Sequence, residues 1–127
     1  MKKVLIIDDD VDIREVLTTV LEGKYELKEA GSREEGMKAV KEFIPDLVIL
    51  DVMMEKHDSG FEMAREIKHD EQLKHTKILM STNVDREMKM DFKKIAGDQD
   101  WLPVDDYVVK PIDPKGILSK IEKLIGV

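Results

Sequence analysis

Five polar residues carry the chemistry that can be read from this chain. Asp8 with Asp9, Asp51, Ser81 and Lys110 each stand at or just after the end of a short, mainly apolar run: Val4 to Ile7, Leu47 to Leu50, Ile78 to Met80, and Tyr107 to Val109. Three carboxylates gathered in one place repel one another. A hard divalent cation held by oxygen ligands and water, as Mg²⁺ prefers, removes that repulsion. With an ammonium group from Lys110 and a hydroxyl from Ser81 beside it, such a cluster suits the acceptance of a phosphoryl group. The cations offset charge on the transferring oxygens, the hydroxyl hydrogen-bonds one of them, and a carboxylate attacks in line. A single aspartate after a strand is usually a cap and a single lysine is usually solvated; it is the set of five that lifts the reading above this background. Asp10 and Asp12 are assigned the structural role, because acids in a first helical turn favour the positive end of the dipole.

The chemistry requires these residues to converge, and the surrounding pattern predicts that they do. The continuous aliphatic runs read as strands covered on both faces. Between them, Ile13, Val16, Leu17, Val20 and Leu21 repeat at the spacing of a helix with one buried stripe, and Gly23 marks its stop. Tyr25, Leu27 and Glu29 suggest a second strand. Ser32 with Glu35 spells a capping box for a helix carrying Met37, Val40 and Phe43, closed by Pro45. Phe61, Met63, Ala64 and Ile67 suggest a third helix. Met88, Phe92 and Ile95 suggest a fourth, capped by Asn83 or Asp85 and stopped by Gly97. Asp113 and Pro114 open a fifth with the stripe Ile117, Leu118, Ile121, Leu124 and Ile125. The expected fold is α/β: a five-stranded parallel sheet with five helices on both faces, doubly wound. In such sheets the functional crevice lies at the carboxyl ends of the strands, where the strand order reverses.

A chain of 127 residues has room for one domain, spanning 1–127. With 39% charged and 42% hydrophobic residues it is too apolar for a disordered acidic tail and too charged for a membrane protein. The net charge of −7 has the wrong sign for neutralising a phosphate backbone, so no direct nucleic-acid binding is expected. The absence of cysteine excludes disulfide frameworks, thiolate zinc sites and cysteine nucleophiles. No apolar run approaches the roughly 18 residues of a membrane span, and a cytoplasmic protein without leader or anchor is expected.

The segments VLIIDDD, DLVILDVMM, ILMST and DYVVKP, in this order and spacing, resemble the receiver domain of two-component response regulators over essentially the whole chain. The resemblance implies a flavodoxin-like fold with Asp51 as phosphoacceptor and Mg²⁺ as cofactor. The ion would be held by Asp8, Asp9, Asp51 and the backbone carbonyl of Met53. It further implies Ser81 and Tyr107 as switch residues, Lys110 and Thr82 as phosphate contacts, and Met53 and Asn83 as residues that tune hydrolysis. It makes the Lys110-Pro111 bond cis, a geometry inexpensive only before proline. The phosphoryl donor would be a sensor histidine kinase or a histidine phosphotransfer protein. The output would pass to a downstream protein or a following output domain, from a monomer or a phosphorylation-dependent dimer. As a signalling receiver, such a chain would catalyse only its own phosphorylation and dephosphorylation.

Three departures from the family pattern stand out: Glu55 replaces the usual proline after the acceptor, Thr82 is larger than the alanine or glycine usual after the switch hydroxyl, and roughly six residues around Trp101 are inserted before DDY. Two other readings compete. A haloacid-dehalogenase-type phosphatase fragment would use Asp8 as nucleophile, but it needs an acidic pair after the late lysine, and beyond Lys110 only the separated Asp113 and Glu122 are acidic. A constitutive receiver-fold interaction module would not need the whole set of site residues that this chain carries.

Overall fold

The computed structural model describes residues 1–51, 59–82, 104–109 and 112–126, with the side chains of 59–61 and 82 outside the description. Strands β1 (Lys3–Ile7), β2 (Glu26–Ala30), β3 (Leu47–Asp51), β4 (Lys77–Thr82) and β5 (Asp106–Val109) form one sheet, every pair parallel, in the order β2-β1-β3-β4-β5. Among the described residues there are four helices: α1 (Val11–Leu21), α2 (Arg33–Phe43), α3 (Ser59–His69) and α4 (Pro114–Ile125). The expectation of five is corrected to that extent. The helix expected around Met88, Phe92 and Ile95 falls at 83–103, outside the described residues, as do Trp101 and the insertion around it.

The unbroken aliphatic character of the central strands has a direct cause. Leu5 and Ile7 of β1, Val48 and Leu50 of β3 and Ile78 and Met80 of β4 pack beneath α2 and α3 with Val40, Met63, Ala64 and Ile67. Their neighbours in the pleat, Val4, Ile6, Leu47, Ile49 and Leu79, pack beneath α1 and α4 with Leu17, Leu21, Ile117 and Ile121. Both faces are covered, so neither half of the alternation is polar. Gly36 lets α2 seat closely: a Cβ there would lie 2.9 Å from Ile7 Cδ1 and 3.0 Å from Met63 Cε.

The helix ends follow local rules with two refinements. Asp10 caps α1 by accepting from the N–H groups of Asp12 and Ile13, and Asp113 caps α4 at Gly116 N, with Pro114 in the first turn. Ser32 Oγ accepts from Glu35 N, but the Glu35 carboxylate reaches back to the N–H of Gly31 rather than of Ser32. Helix α2 ends through Ile44, whose φ of 47° places a β-branched side chain in the left-handed region. This conformation costs of the order of 1–2 kcal/mol. It precedes Pro45, which disfavours right-handed helical geometry in the residue before it. The reversal delivers Asp46 to the start of β1, where its N–H donates to Lys3 O (2.8 Å) and its carboxylate accepts from Lys3 N (2.8 Å). Along the same edge, Asp105 accepts from Ile78 N (2.8 Å) and pairs with Lys68 Nζ (2.9 Å), joining β4, α3 and the approach to β5.

Tyr25, 2% exposed, sits just before β2 and donates its hydroxyl hydrogen to Gly126 O at 2.9 Å, tying the end of α4 to the α1-β2 connection. Burial, and secondarily the Glu122 carboxylate, raise the phenol pKa above its ordinary value. The folded chain then holds this proton more tightly than the unfolded chain. The stability it contributes is complete below the unfolded pKa near 10 and is lost as pH rises through that value toward the folded one. Urea midpoints followed from about pH 8 to 11 should fall more steeply for the wild type than for Tyr25→Phe; parallel slopes would contradict it.

Candidate metal and phosphoryl site

The strand order decides the site. Because β1 lies beside β3, with Ile7 paired to Leu50, the residues that follow both strands emerge together at the carboxyl edge. The sheet is extended from β1 toward β2 on one side and from β3 toward β5 on the other, so this is the point where the winding reverses. One carboxylate oxygen each from Asp8, Asp9 and Asp51 lie within 4.8 Å of one another. Asp8 and Asp51 are buried, both 2% exposed, and Asp9 faces solvent. The donor set is all oxygen and all anionic, open on the Asp9 side, and so fits a hard divalent cation that retains water.

Asp8 is held at three points. Its N–H donates to Ala30 O (3.1 Å), its Oδ1 accepts from Asp10 N (2.9 Å), and its carbonyl accepts from Arg14 Nη1. Arg14 Nε also reaches Glu29 Oε1 on β2 at 3.3 Å. No role for Arg14 follows from the sequence pattern. The available signal was its place one turn into the helix that follows the acidic pair.

Ser81 pairs in register with Asp51 across β3 and β4. It is 1% exposed, and its Oγ has no hydrogen-bond partner among the described residues. A buried hydroxyl left without a partner costs roughly 1–3 kcal/mol. Ser81→Ala should therefore raise the urea-unfolding stability of the unphosphorylated protein by about 1 kcal/mol. A lower midpoint would show that the hydroxyl is satisfied.

Tyr107 stands on β5 opposite Met80, half-buried against the α2-α3 core, with Lys120 Nζ 5.9 Å from its ring centroid. Lys120 also bonds both carboxylate oxygens of Asp106 at 3.2 Å. Thr82 ends β4 opposite Val109. The side chain of Thr82, and Met53, Asn83, Lys110 and the Lys110-Pro111 bond, lie outside the described residues, as do Glu55, His57 and Asp58. The structure thus brings Asp8, Asp9, Asp51 and Ser81 to one edge of the sheet.

Comparison with known proteins agrees with this architecture. The family model described as response regulator receiver domain matches residues 4–122. The chain is 34% identical over 127 residues to the chemotaxis protein CheY of Halobacterium salinarum, covering 98% of this chain and 97% of that protein. It is 33% identical over 125 residues to the phosphate regulon transcriptional regulatory protein PhoB of Pseudomonas aeruginosa, covering 98% of this chain but 52% of that one. The chain thus spans about half the length of PhoB and nearly all of CheY. Among solved structures, the chemotaxis response regulator CheY4 of Vibrio cholerae superposes with a TM-score of 0.80 at 29% identity, covering 98% of both chains. The BeF3-activated DrrB receiver domain superposes with a TM-score of 0.80 at 25% identity, covering 100% of this chain and 99% of that one. By motif order, sheet topology and family match together, this chain belongs to the receiver domain family of two-component response regulators.

Proposed function

We propose that this receiver is phosphorylated on Asp51 in a Mg²⁺-dependent reaction and signals through Ser81 and Tyr107. The observation that carries the reading is the meeting of the Asp8, Asp9 and Asp51 carboxylates within 4.8 Å at the reversal of the sheet. Asp8, Asp9, Asp51 and the Met53 carbonyl would hold the ion. When bound, it would supply positive charge to offset that of the transferring phosphoryl oxygens. A carboxylate oxygen of Asp51 attacks phosphorus as the bond to the donor histidine nitrogen breaks, and the imidazole leaves with the electron pair and takes up a proton. Ser81 Oγ–H, which has no partner among the described residues, donates to a phosphoryl oxygen, and Lys110 supplies a second cation. Thr82 borders the phosphoryl group, and Met53 and Asn83 set the access of water to it.

The same hydrogen bond draws Ser81 toward Asp51 and frees space for the Tyr107 ring, so that phosphorylation shifts a population between two arrangements of the β4-β5 edge. Sensor histidine kinases or phosphotransfer proteins are the donors, in the cytoplasm. The recipient is a protein target or an output domain, as in the longer transcriptional regulators that match over part of their length.

The test combines Mg²⁺ and beryllofluoride, followed by Trp101 fluorescence. A Mg²⁺-dependent change lost in Asp51→Asn supports the reading. Turnover of a small phosphatase substrate, abolished by Asp8→Asn, would favour the hydrolase instead; the family match weighs against it.

A further inference from the structure

We infer that Arg14 is a positioning residue for the acidic cluster, holding the β1-α1 turn so that Asp8 and Asp9 meet Asp51; this rests on the reading of that cluster as a metal site. The guanidinium does two jobs with different nitrogens. Nη1 donates to the Asp8 carbonyl, and Nε faces Glu29 Oε1 at 3.3 Å on the neighbouring strand. Its path crosses Gly31, where a Cβ would stand 2.9 Å from Nη1. Gly31 therefore leaves the gap through which the side chain reaches Asp8. The Arg14 side chain is 19% exposed, so the fork is largely shielded from competing water. With the Asp8 N–H on Ala30 and Oδ1 on the Asp10 N–H, the main chain and side chain of this ligand are both fixed before any ion arrives. Groups that orient metal ligands in this way commonly matter to affinity by about 10- to 100-fold.

A role through charge alone predicts the opposite sign. Removing a cation beside three carboxylates makes the site more negative and should tighten Mg²⁺ binding. Positioning predicts weaker binding, and predicts that lysine fails to restore it, since a single ammonium lacks the planar fork that spans two acceptors.

The experiment titrates Mg²⁺ alone into the full chain by calorimetry, at one pH and ionic strength, alongside urea midpoints without metal. Arg14→Met should weaken Mg²⁺ about tenfold, Arg14→Lys should recover only part of that, and Gly31→Ala should weaken it in the same direction while leaving every charge in place. Gly31→Ala should keep a midpoint near that of the wild type, because the crowded atom is the far end of a flexible side chain. It thus decides the matter even if Arg14→Met does not fold. Wild-type or tighter affinity in both Arg14→Met and Gly31→Ala overturns the inference. Asp8→Asn separates the two levels. If it abolishes Mg²⁺ binding while the Arg14 and Gly31 variants bind normally, only the positioning role fails; if it leaves Mg²⁺ binding unchanged, the metal-site reading fails and the positioning role with it.

Discussion

Asp51→Asn should gain no phosphoryl group under conditions in which the wild-type chain gains one. Incubated with Mg²⁺ and a small phosphodonor such as acetyl phosphate, the wild type should add a single phosphoryl mass, and chelation of the metal should prevent it. The amide introduced by the substitution offers no anionic oxygen to attack phosphorus, and no other described carboxylate combines burial with an in-register hydroxyl as Asp51 does with Ser81. The same substitution removes one of the three carboxylates that would hold the ion, so added Mg²⁺ should stabilise Asp51→Asn less than the wild type in urea unfolding. Phosphoryl incorporation into Asp51→Asn would place the acceptor elsewhere and sink the proposed mechanism.

The second large effect is on stability. Leu50 is fully buried, pairs across the sheet with Ile7 and Met80, and packs into the core beneath α2 and α3. Leu50→Ala removes three carbon atoms from a place closed on every side by sheet and helices, so little collapse can refill it. A loss of about 3–5 kcal/mol is expected. Domains of this size are commonly stable by about 5–15 kcal/mol, so the variant should be near its limit at room temperature. Since Leu50 immediately precedes Asp51, ligands that bind only the folded site should return part of the loss. Mg²⁺ at about 100 times its dissociation constant would restore roughly 2.7 kcal/mol. Urea unfolding with and without Mg²⁺ measures both quantities. A loss below about 1 kcal/mol would mean that the core repacks around the gap.

The acidic site was legible because its signals are local. Asp8 and Asp51 each end an aliphatic run, and such runs mean strands covered on both faces, as the paired cores show. The caps Ser32 and Asp113 were legible for the same reason, since each satisfies an N–H three residues on, whereas Asp10, read as a first-turn acid, takes the cap position itself. The resemblance to receivers rested on four such local segments in order.

What depends on contacts distant in sequence was not legible. Strand runs do not state their order, and only the placement of β1 between β2 and β3 brings Asp8 to Asp51. Arg14 gives no sign that its fork would cross Gly31, because the vacancy it uses belongs to the end of β2. The Ser81 hydroxyl, without a partner among the described residues, is likewise a product of packing, since burial decides whether a hydroxyl finds water. Local pattern therefore determined the elements, the caps and the identity of the acids in the chain, since backbone propensity and hydrophobic period act over a few residues. The tertiary structure alone decided which carboxylates meet, which are buried and what holds them in place, since those follow from which surfaces exclude water together.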